Sequence, residues 1–408
     1  MKTLFLAAFC VLLAGCGGSR PVLVTISNPM SEERTGELIE VPMDHVFRQL
    51  KLKDTSGIVI YDAKSKEIPY QLTADGMLVF PVSVAAGGVS AYTIQEGTPA
   101  VVNTPVFGRH YPERLDDIAW ENDRMAFRAY GPALQQRGEK AFGYDILTKS
   151  VPEPVVEERY ARELDKASRA RIDALRREGE KAAADSLWAA ISYHVDHGNG
   201  MDVYTVGPTL GGGTAALMPD SAIVYPYCYQ NFELLDNGPL RFTVKLTFGP
   251  LVVRTDSNVI ETRIIQLDKG SQLNKTTVTY HGLSAPVPVV AGIVLHKQHK
   301  DGYAFDAQKG YIAYADSTDN PRKGNGVIYV GAVFPDALAG TGVQWFPRPV
   351  GDALGHVLGV ENYLPGSGFT YYWGAGWSKY GFSSEQAWID YLKAYAERVR
   401  NPLKVTVR

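Results

Sequence analysis

The feature that most constrains the fold of this chain is a two-residue alternation of apolar and polar side chains. It is clearest at residues 241–248, where Phe, Val and Leu at every second position alternate with Arg, Thr and Lys. Successive side chains of a strand point to opposite faces, so this pattern predicts a half-buried strand. Similar runs recur between turn signals such as Asp75-Gly76 and Gly87-Gly88. With 40 glycines and 24 prolines among 408 residues, the chain is predicted to be mainly β.

The strand patterns fall into two predicted domains. Residues 21–100 contain several short strand patterns and predict a small N-terminal β-sandwich. Prolines interrupt the pattern at residues 97–105, which predicts a linker, and residues 103–408 then form a larger β domain. Within that domain, the charge-rich stretch 157–191 has apolar residues at helical spacing and predicts an inserted helical hairpin broken at Gly179.

The end of the chain predicts one helix and one strand. Ser383-Ser384-Glu385-Gln386 offers a capping box, and apolar residues with helical spacing follow it. Asn401-Pro402 ends the predicted helix. Val405 and Val407 alternate with polar residues and predict a last strand within the larger domain.

The N-terminus predicts an export signal with a lipid anchor. Lys2 precedes an apolar run, Leu4 to Leu13, that is too short to span a bilayer. Leu13-Ala14-Gly15-Cys16 resembles the bacterial lipobox, which implies cleavage before Cys16 and lipid attachment to its sulfur. The alternative is an ordinary cleaved signal with an incidental cysteine. Because no acidic run follows Cys16, we expect a lipid-anchored protein of the cell envelope, on the outer membrane and facing the periplasm.

Composition excludes several classes of protein. The chain has 41 basic and 44 acidic residues, and this balance gives no reason to expect nucleic acid as a partner. We expect contact with the membrane only through the lipid. Three cysteines exclude a disulfide scaffold. Nucleophile-elbow, Walker A, His-Glu-x-x-His and Cys-x-x-Cys motifs are all missing from the sequence.

The densest cluster of chemically capable residues lies at 193–204. His194, His197 and Tyr204 are candidate catalytic residues, because a histidine beside an aspartate can act as a base near neutral pH. Asp196 and Asp202 are candidate substrate-binding residues. We expect no cofactor, although His194, Asp196 and His197 have side chains that suit a divalent metal. The alternative is a hydrogen-bonded loop with incidental histidines.

A second cluster lies at 120–132. From Met125 onward, alternation places Arg128 and Tyr130 on one strand face, where an Arg could bind a sugar carboxylate and a Tyr could move a proton. Asn122 and Arg124 are candidate substrate-binding residues beside them. The alternative is a sheet surface covered with salt bridges.

A third cluster is the aromatic stretch 369–380. Sugar rings have apolar faces that stack on aromatic side chains, so Trp373 and Trp377 are candidate substrate-binding residues. Gly374 and Gly376 flank them and favour at least one exposed tryptophan. The alternative is core packing.

Together these clusters resemble the family catalogued as domain of unknown function 4861. The resemblance rests on Glu121 to Arg124, Tyr130-Gly131-Pro132, His194-x-Asp196-His197-Gly198, Gly207 to Gly211 and Tyr372 to Trp377. It implies an exported protein from glycan-degradation gene sets, notably pectin-related ones. It also implies a large β-supersandwich similar to galactose mutarotase and several polysaccharide lyases. The helical stretch 157–191 resembles an insertion relative to the family pattern.

The predicted function is action on uronate-containing, pectin-type oligosaccharides by β-elimination. Arg128, with Asn122, would neutralise the sugar carboxylate, and Tyr130 would protonate the leaving oxygen. A base among His194, His197 and Tyr204 would remove the C5 proton. Stabilisation of the enolate-like intermediate would be the largest effect.

Two alternatives remain open at the level of sequence. The first is hydrolysis or epimerisation of a sugar by Glu121 or Asp202 acting with a histidine. The second is a glycan-binding lipoprotein without catalytic activity.

Overall fold

The structure is a computed structural model that describes residues 20–52, 57–318 and 321–408. The predicted lipoprotein signal and Cys16 lie outside the described residues. The strands are β1 Val22–Ser27, β2 Arg34–Pro42, β3 Ile58–Asp62, β4 Glu67–Ile68, β5 Gln71–Leu72, β6 Met77–Val84, β7 Val89–Glu96, β8 Phe107–Tyr111, β9 Asp117–Glu121, β10 Ala126–Ala129, β11 Asp145–Leu147, β12 Gly212–Leu217, β13 Tyr229–Asn237, β14 Arg241–Phe248, β15 Leu251–Val253, β16 Asp256–Asp268, β17 Leu273–His281, β18 Val287–His296, β19 Tyr303–Asp306, β20 Tyr311–Asp316, β21 Ile328–Val333, β22 Gly340–Val350, β23 Ala353–Tyr363, β24 Phe369–Trp377 and β25 Lys404–Val407. The α-helices are α1 Met43–Leu50, α2 Pro132–Gln136, α3 Val156–Glu163, α4 Lys166–Arg177, α5 Lys181–Ile191 and α6 Glu385–Arg400.

The N-terminal strands form a small sandwich with its own core. One sheet has the order β25-β1-β7-β3-β4 and the other the order β2-β6-β5. Val24, Phe80 and Ile94 are buried between them. The last strand, β25, pairs antiparallel with β1, with Val24 opposite Val407. The prediction that this strand belongs to the larger domain is therefore wrong: the chain returns to the N-terminal sandwich and closes its sheet edge.

Three further antiparallel sheets pack around one continuous core. The largest has the order β13-β14-β16-β17-β24-β21-β20-β19, with β15 pairing to β16. The other two have the orders β12-β18-β23-β22 and β11-β10-β9-β8. Trp120 of β9, Phe242 of β14 and Ile293 of β18 belong to the same apolar cluster. The mainly β prediction is confirmed, and β14 buries the alternating apolar residues that the sequence indicated.

The inserted helices comprise a hairpin and one additional helix. Gly179 lies between α4 and α5 and has a φ of +80°. That backbone conformation favours a residue without a Cβ atom, so a glycine suits the turn between the two helices. The two helices share a small core that includes Leu175 and Ile191. Helix α3 instead packs Val156 and Tyr160 against the β8–β11 sheet. The predicted hairpin is present, and α3 adds a cover over one sheet face.

Helix α6 begins and ends where the sequence predicts. The Ser384 hydroxyl accepts a hydrogen bond from the Ala387 amide at 3.2 Å and caps the helix. Trp388 and Leu392 are buried against β20 and β21. Among the helices of the described residues, none combines the length and apolarity needed to cross a membrane.

Candidate functional site

Arg128 lies at the centre of a buried cluster of charged and phenolic side chains. In the antiparallel register, β10 places Arg128 opposite Asp145 of β11. The Arg128 Nε donates to Asp145 Oδ2 at 2.9 Å, and Nη2 contacts the same carboxylate. Nη2 also donates to Asp202 Oδ2 at 2.8 Å, and Nη1 donates to the Tyr160 hydroxyl of α3 at 3.2 Å. The Arg128 side chain is 3% exposed.

These contacts correct the role predicted for Arg128. The Nε–Nη2 edge of a guanidinium is one that binds a carboxylate with two parallel hydrogen bonds. In this protein that edge already holds Asp145, and Asp202 occupies the same Nη2. Arg128 therefore acts as an internal counter-ion and does not present this edge to a sugar carboxylate.

Tyr130 belongs to this cluster and also lines a cavity. Its hydroxyl donates to Asp145 Oδ2 at 2.7 Å, and the Arg128 guanidinium lies 5.0 Å from the centroid of its ring. Burial raises the pKa of Tyr130 and also raises the pKa of Asp145. The shared placement of Arg128 and Tyr130 on one strand face agrees with the predicted alternation.

Asp117 of β9 is the least satisfied member of the cluster. Both of its carboxylate oxygens are buried without a hydrogen-bond partner among the described residues. The Arg114 Nη1 lies 3.6 Å from Asp117 Oδ2, and the Arg128 Nε lies 3.8 Å from the same oxygen. Burial raises the pKa of Asp117 to about 7, against an ordinary value of 3.8. A carboxyl group with this pKa can exchange a proton near neutral pH.

The backbone that leads into Asp117 is strained. Leu115 and Asp116 have φ values of +59° and +62°, a conformation that residues with a Cβ atom adopt at a cost. Gly131 packs on this turn so closely that a Cβ atom there would lie 1.9 Å from the Asp116 carbonyl oxygen. Because Gly131 has no Cβ atom, the turn at residues 115–116 can pack directly against the end of β10.

The loop at residues 193–204, which carries His194 and His197, reaches the same cluster through Asp202. His194 Nδ1 lies 2.7 Å from the carbonyl oxygen of Asp202, whose carboxylate binds Arg128. His194 itself is exposed. Two of the three predicted segments therefore meet, with Asp202 as the link between them.

The other loop residues have structural contacts. His197 Nε2 lies 3.0 Å from the Ser192 carbonyl oxygen. Asp196 Oδ1 accepts hydrogen bonds from the amides of Gly198 and Gly200, which shapes the turn. Among the described residues, no group of three or more His, Cys, Asp or Glu side chains is arranged to hold a metal ion. The structure does not assemble His194, Asp196 and His197 as metal ligands.

Tyr204 lies in the core next to His296, a histidine that no sequence pattern indicated. Its ring makes an edge contact with His296 at 6.1 Å between centroids. His296 Nδ1 lies 2.7 Å from Asp316 Oδ2, and the pair is buried. These residues lie on separate strands with no local motif around either of them. His296 of β18 and Asp316 of β20 belong to different sheets, and only the packing of those sheets brings them together, so no sequence signal was available.

The polar residues after β9 have structural partners as well. Asn122 is buried, and its amide donates to the carbonyl oxygens of Asp268 and Ser271 at 2.6 and 2.8 Å. Glu121 is buried against Lys149, which donates to it at 2.6 Å. Arg124 is exposed beside Asp123. The substrate role predicted for Asn122 has no support here, because its amide group is used within the fold.

The expectation of an exposed tryptophan at 373 or 377 is wrong. Trp373 and Trp377 are 0% and 1% exposed. Trp373 stacks on Tyr144 with ring centroids 4.0 Å apart and contacts Phe127, which points to the opposite face of β10 from Arg128. The Trp377 Nε1 donates to the Asn325 carbonyl oxygen at 2.9 Å. Core packing, the alternative, is what the structure has.

A small cavity lies at the edge of the Arg128 cluster. Its volume is about 10 Å³, enough for about one water molecule. Tyr130, Tyr144 and Arg263 line it on the inner side, and the rings of Phe142 and Tyr227 cover it, with centroids 5.2 Å apart. Tyr227 is 56% exposed, so this cover lies at the surface. Cys228 also lines the cavity, and burial raises the pKa of its thiol.

The described residues thus define an antiparallel β-sandwich protein with a buried carboxylate–arginine–tyrosine cluster beside a covered cavity. A model of the family described as domain of unknown function (DUF4861) matches residues 26–405, and the chain belongs to this family.

A curated relative covers the chain from end to end. "Uncharacterized protein P7" of Formosa agariphila is 23% identical over 425 residues, which cover 99% of this chain and 98% of that protein. Two solved structures are more distant, at 8% identity each: an alpha-mannosidase from Enterococcus faecalis V583, with a TM-score of 0.46, and a glycosyl hydrolase family 38 protein from Enterococcus faecalis, with a TM-score of 0.45. Each match covers 95% of this chain, which spans about half the length of those chains, 46% and 47%.

Proposed function

We propose that this protein cleaves uronate-containing, pectin-type oligosaccharides by β-elimination and that Tyr130 moves the proton. The observation that carries the proposal is the position of Tyr130. Its hydroxyl donates to the buried Asp145 at 2.7 Å, and its side chain lines the cavity beside the cluster. The substrate class rests on the family resemblance, and the chemistry rests on this placement.

The Tyr130–Asp145 pair can relay a proton in both directions. In β-elimination, a base removes the proton at C5, beside the carboxylate, and the bond from C4 to the leaving oxygen breaks. Tyr130 would take the C5 proton while passing its own proton to Asp145 Oδ2. Burial raises the pKa of Asp145, which makes its carboxylate a stronger proton acceptor. The reverse relay would return a proton through Tyr130 to the leaving oxygen.

Substrate entry requires the cover of the cavity to move. A volume of about 10 Å³ holds a water molecule and excludes a sugar ring. Phe142 and Tyr227 would have to separate for a sugar to reach Tyr130. Such movement of surface loops over a site is common among enzymes.

Hydrolysis is the second candidate, and Asp117 favours it. A glycoside hydrolase needs one carboxyl group that carries a proton near neutral pH. Asp117, with a pKa raised to about 7 by burial, has this property. Glu121 and Asp202, which the sequence suggested for this role, are both ion-paired and buried.

The test uses oligogalacturonides and two tyrosine variants. Elimination produces an ultraviolet-absorbing unsaturated uronate, whereas hydrolysis produces new reducing ends without that absorbance. We expect Tyr130→Phe to lower the rate of elimination by about 100-fold or more. Tyr160→Phe is the matched control, because Tyr160 also bonds Arg128 but does not line the cavity. It should retain most of the activity.

The other possible results of this experiment each support a different function or a different residue. Reducing ends without absorbance would establish hydrolysis. Binding without any cleavage by the wild-type protein would establish a glycan-binding protein and exclude both enzymatic candidates. Equal activity of the wild-type protein and Tyr130→Phe would remove Tyr130 from the mechanism.

We also propose that Cys16 carries a lipid that anchors the protein in the cell envelope, on the outer membrane and facing the periplasm. The lipobox-like Leu13-Ala14-Gly15-Cys16 supports this proposal. Cell fractionation should place the wild-type protein with the membranes and release Cys16→Ala. Retention of Cys16→Ala in the membrane fraction would contradict the lipid anchor.

A further inference from the structure

A second polar cluster, separate from Arg128, reaches the cavity from the largest sheet. Arg263 of β16 lines the cavity together with Tyr144. Its Nη1 donates to the Tyr144 hydroxyl at 3.1 Å, its Nη2 donates to the Ala215 carbonyl oxygen at 3.2 Å, and its Nε bonds Glu261. Arg263 is 1% exposed and Glu261 is 0% exposed.

The two arginines differ in what remains available on their terminal nitrogens. Arg128 Nη2 alone contacts Asp145, Asp202 and the Tyr130 hydroxyl. Arg263 Nη1 and Nη2 have one acceptor each among the described residues, and each of these nitrogens carries two N–H groups. One N–H on each nitrogen is therefore available, and two N–H groups on adjacent nitrogens match the two oxygens of a carboxylate.

The charge around Arg263 also favours an anion. Asp145, Asp202 and Asp117 surround Arg128, whereas Glu261 is the one carboxylate ion-paired with Arg263 in the described chain. Arg263 therefore faces a single carboxylate of the described residues, whereas three carboxyl groups surround Arg128, so an added carboxylate meets less repulsion at Arg263.

Unpartnered hydroxyl groups lie around the same arginine. Tyr280 is opposite Glu261 in the β16–β17 register, and Tyr371 lies on the next strand, β24. Both hydroxyls, and Glu261 Oε2, are buried without a partner at hydrogen-bond distance among the described residues, and they lie behind Arg263 rather than in the lining of the cavity. Buried polar groups without partners cost free energy unless a ligand or water satisfies them.

We propose that Arg263 is the residue that binds the carboxylate of an acidic sugar, with Tyr144 beside it and the rings of Phe142 and Tyr227 as a movable cover. This inference rests on the proposed function and deepens it, because Arg263 takes over the role that the sequence assigned to Arg128. A uronate held at Arg263 would occupy the same cavity that Tyr130 lines.

The test compares D-galacturonate with D-galactose, which carries a hydroxymethyl group in place of the carboxylate. Calorimetry at low ionic strength should give the wild-type protein a preference for galacturonate of about tenfold or more. Arg263→Gln should abolish the preference. Arg241→Gln is the matched control, because Arg241 is also a buried, ion-paired arginine, bonded to Asp268 and Glu40 outside the cavity. It should keep the preference.

Glu261→Gln keeps the test decisive if Arg263→Gln does not fold. This change preserves shape and removes the carboxylate that competes for Arg263, so galacturonate should bind severalfold more tightly. Damage to the fold would weaken binding instead. A wild-type protein without preference, a preference that survives Arg263→Gln, or weaker binding to a Glu261→Gln protein that unfolds at the wild-type urea concentration would each overturn the assignment.

Failure of this inference is distinguishable from failure of the proposed function. Monosaccharide binding needs no bond cleavage, so it can be observed in a protein that catalyses no elimination. Conversely, elimination of oligogalacturonides by Arg263→Gln at the wild-type rate would overturn the role of Arg263 alone.

Discussion

Asp117 Oδ2 and Arg128 Nε lie 3.8 Å apart, yet no hydrogen bond joins either carboxylate oxygen of Asp117 to a described residue. Asp145 and Asp202 hold the guanidinium instead. Asp117 is thus buried beside a cation that its neighbours already neutralise, and its pKa rises to about 7. This arrangement separates the carboxylates of the cluster into two that stabilise Arg128 and one that can exchange a proton.

Asp117→Asn should change how stability depends on pH. The folded state holds a proton on Asp117 up to about pH 7, whereas an unfolded Asp releases it near its ordinary value of 3.8. The contribution of this group to the free energy of unfolding is therefore present at low pH and is lost as the pH rises through this window, by about 4 kcal/mol. Urea unfolding across the window should show this loss in the wild-type protein and its absence in Asp117→Asn. The exposed Asp301→Asn is the control, and parallel curves for the wild-type protein and Asp117→Asn would contradict the assignment.

Arg128→Met should be strongly destabilising. It leaves the buried carboxylates of Asp145 and Asp202 without their cation, at a cost of about 3–5 kcal/mol. Asp145→Asn in the same chain should recover part of that loss, so a double-mutant cycle of unfolding free energies should report a coupling. Arg109→Met, at a partly exposed arginine paired with Glu157, should cost about 1 kcal/mol or less. Equal costs at Arg128 and Arg109 would exclude a buried ion-pair network.

Trp373→Ala should behave as a core mutation. The indole is fully buried against Tyr144 and Phe127, so its removal should cost about 3–5 kcal/mol. Trp345→Ala is the matched control: Trp345 is 47% exposed, and its loss should cost far less. A fully stable Trp373→Ala that no longer binds oligosaccharide would restore the stacking role predicted from sequence.

His194→Ala and His197→Ala should differ in their effect on activity. His194 holds the Asp202 backbone, and Asp202 holds Arg128, so its loss should lower kcat severalfold through the position of the cluster. His197 hydrogen-bonds the Ser192 carbonyl oxygen and no residue of the Arg128 cluster among the described residues, and its loss should leave kcat within about twofold of the wild-type value. Complete inactivity of both single variants would instead identify a catalytic base on this loop.

Local patterns in the sequence predicted the elements that depend on chain neighbours. The Ser384 cap, the end of α6 at Asn401-Pro402 and the buried alternation of β14 all appear in the structure. The alternation from Met125 likewise placed Arg128 and Tyr130 on a common face. These features follow from hydrogen bonds and side-chain directions within a few residues, which the order of amino acids specifies directly.

The predictions that were wrong concern residues whose neighbours in space come from distant segments of the chain. Alternation does not specify what covers a strand face, so it could not distinguish an exposed Trp373 from one buried under Tyr144. It also could not show that Arg128 meets Asp145 and Asp202, which are 17 and 74 residues away. Arg263, Glu261 and the His296–Asp316 pair had no motif at all.

By itself, the sequence determined a mainly β chain with an inserted helical hairpin and a capped last helix. It also identified two polar segments, 120–132 and 193–204, that are rich in charged, phenolic and imidazole side chains. Only the tertiary structure decided that β25 completes the first sheet, that the tryptophans are core residues, and that Arg263 lines the cavity while carboxylates enclose Arg128. The reason is that charge balance and burial are sums over all neighbours in space. A side chain's chemistry therefore depends on partners that its own stretch of sequence does not contain.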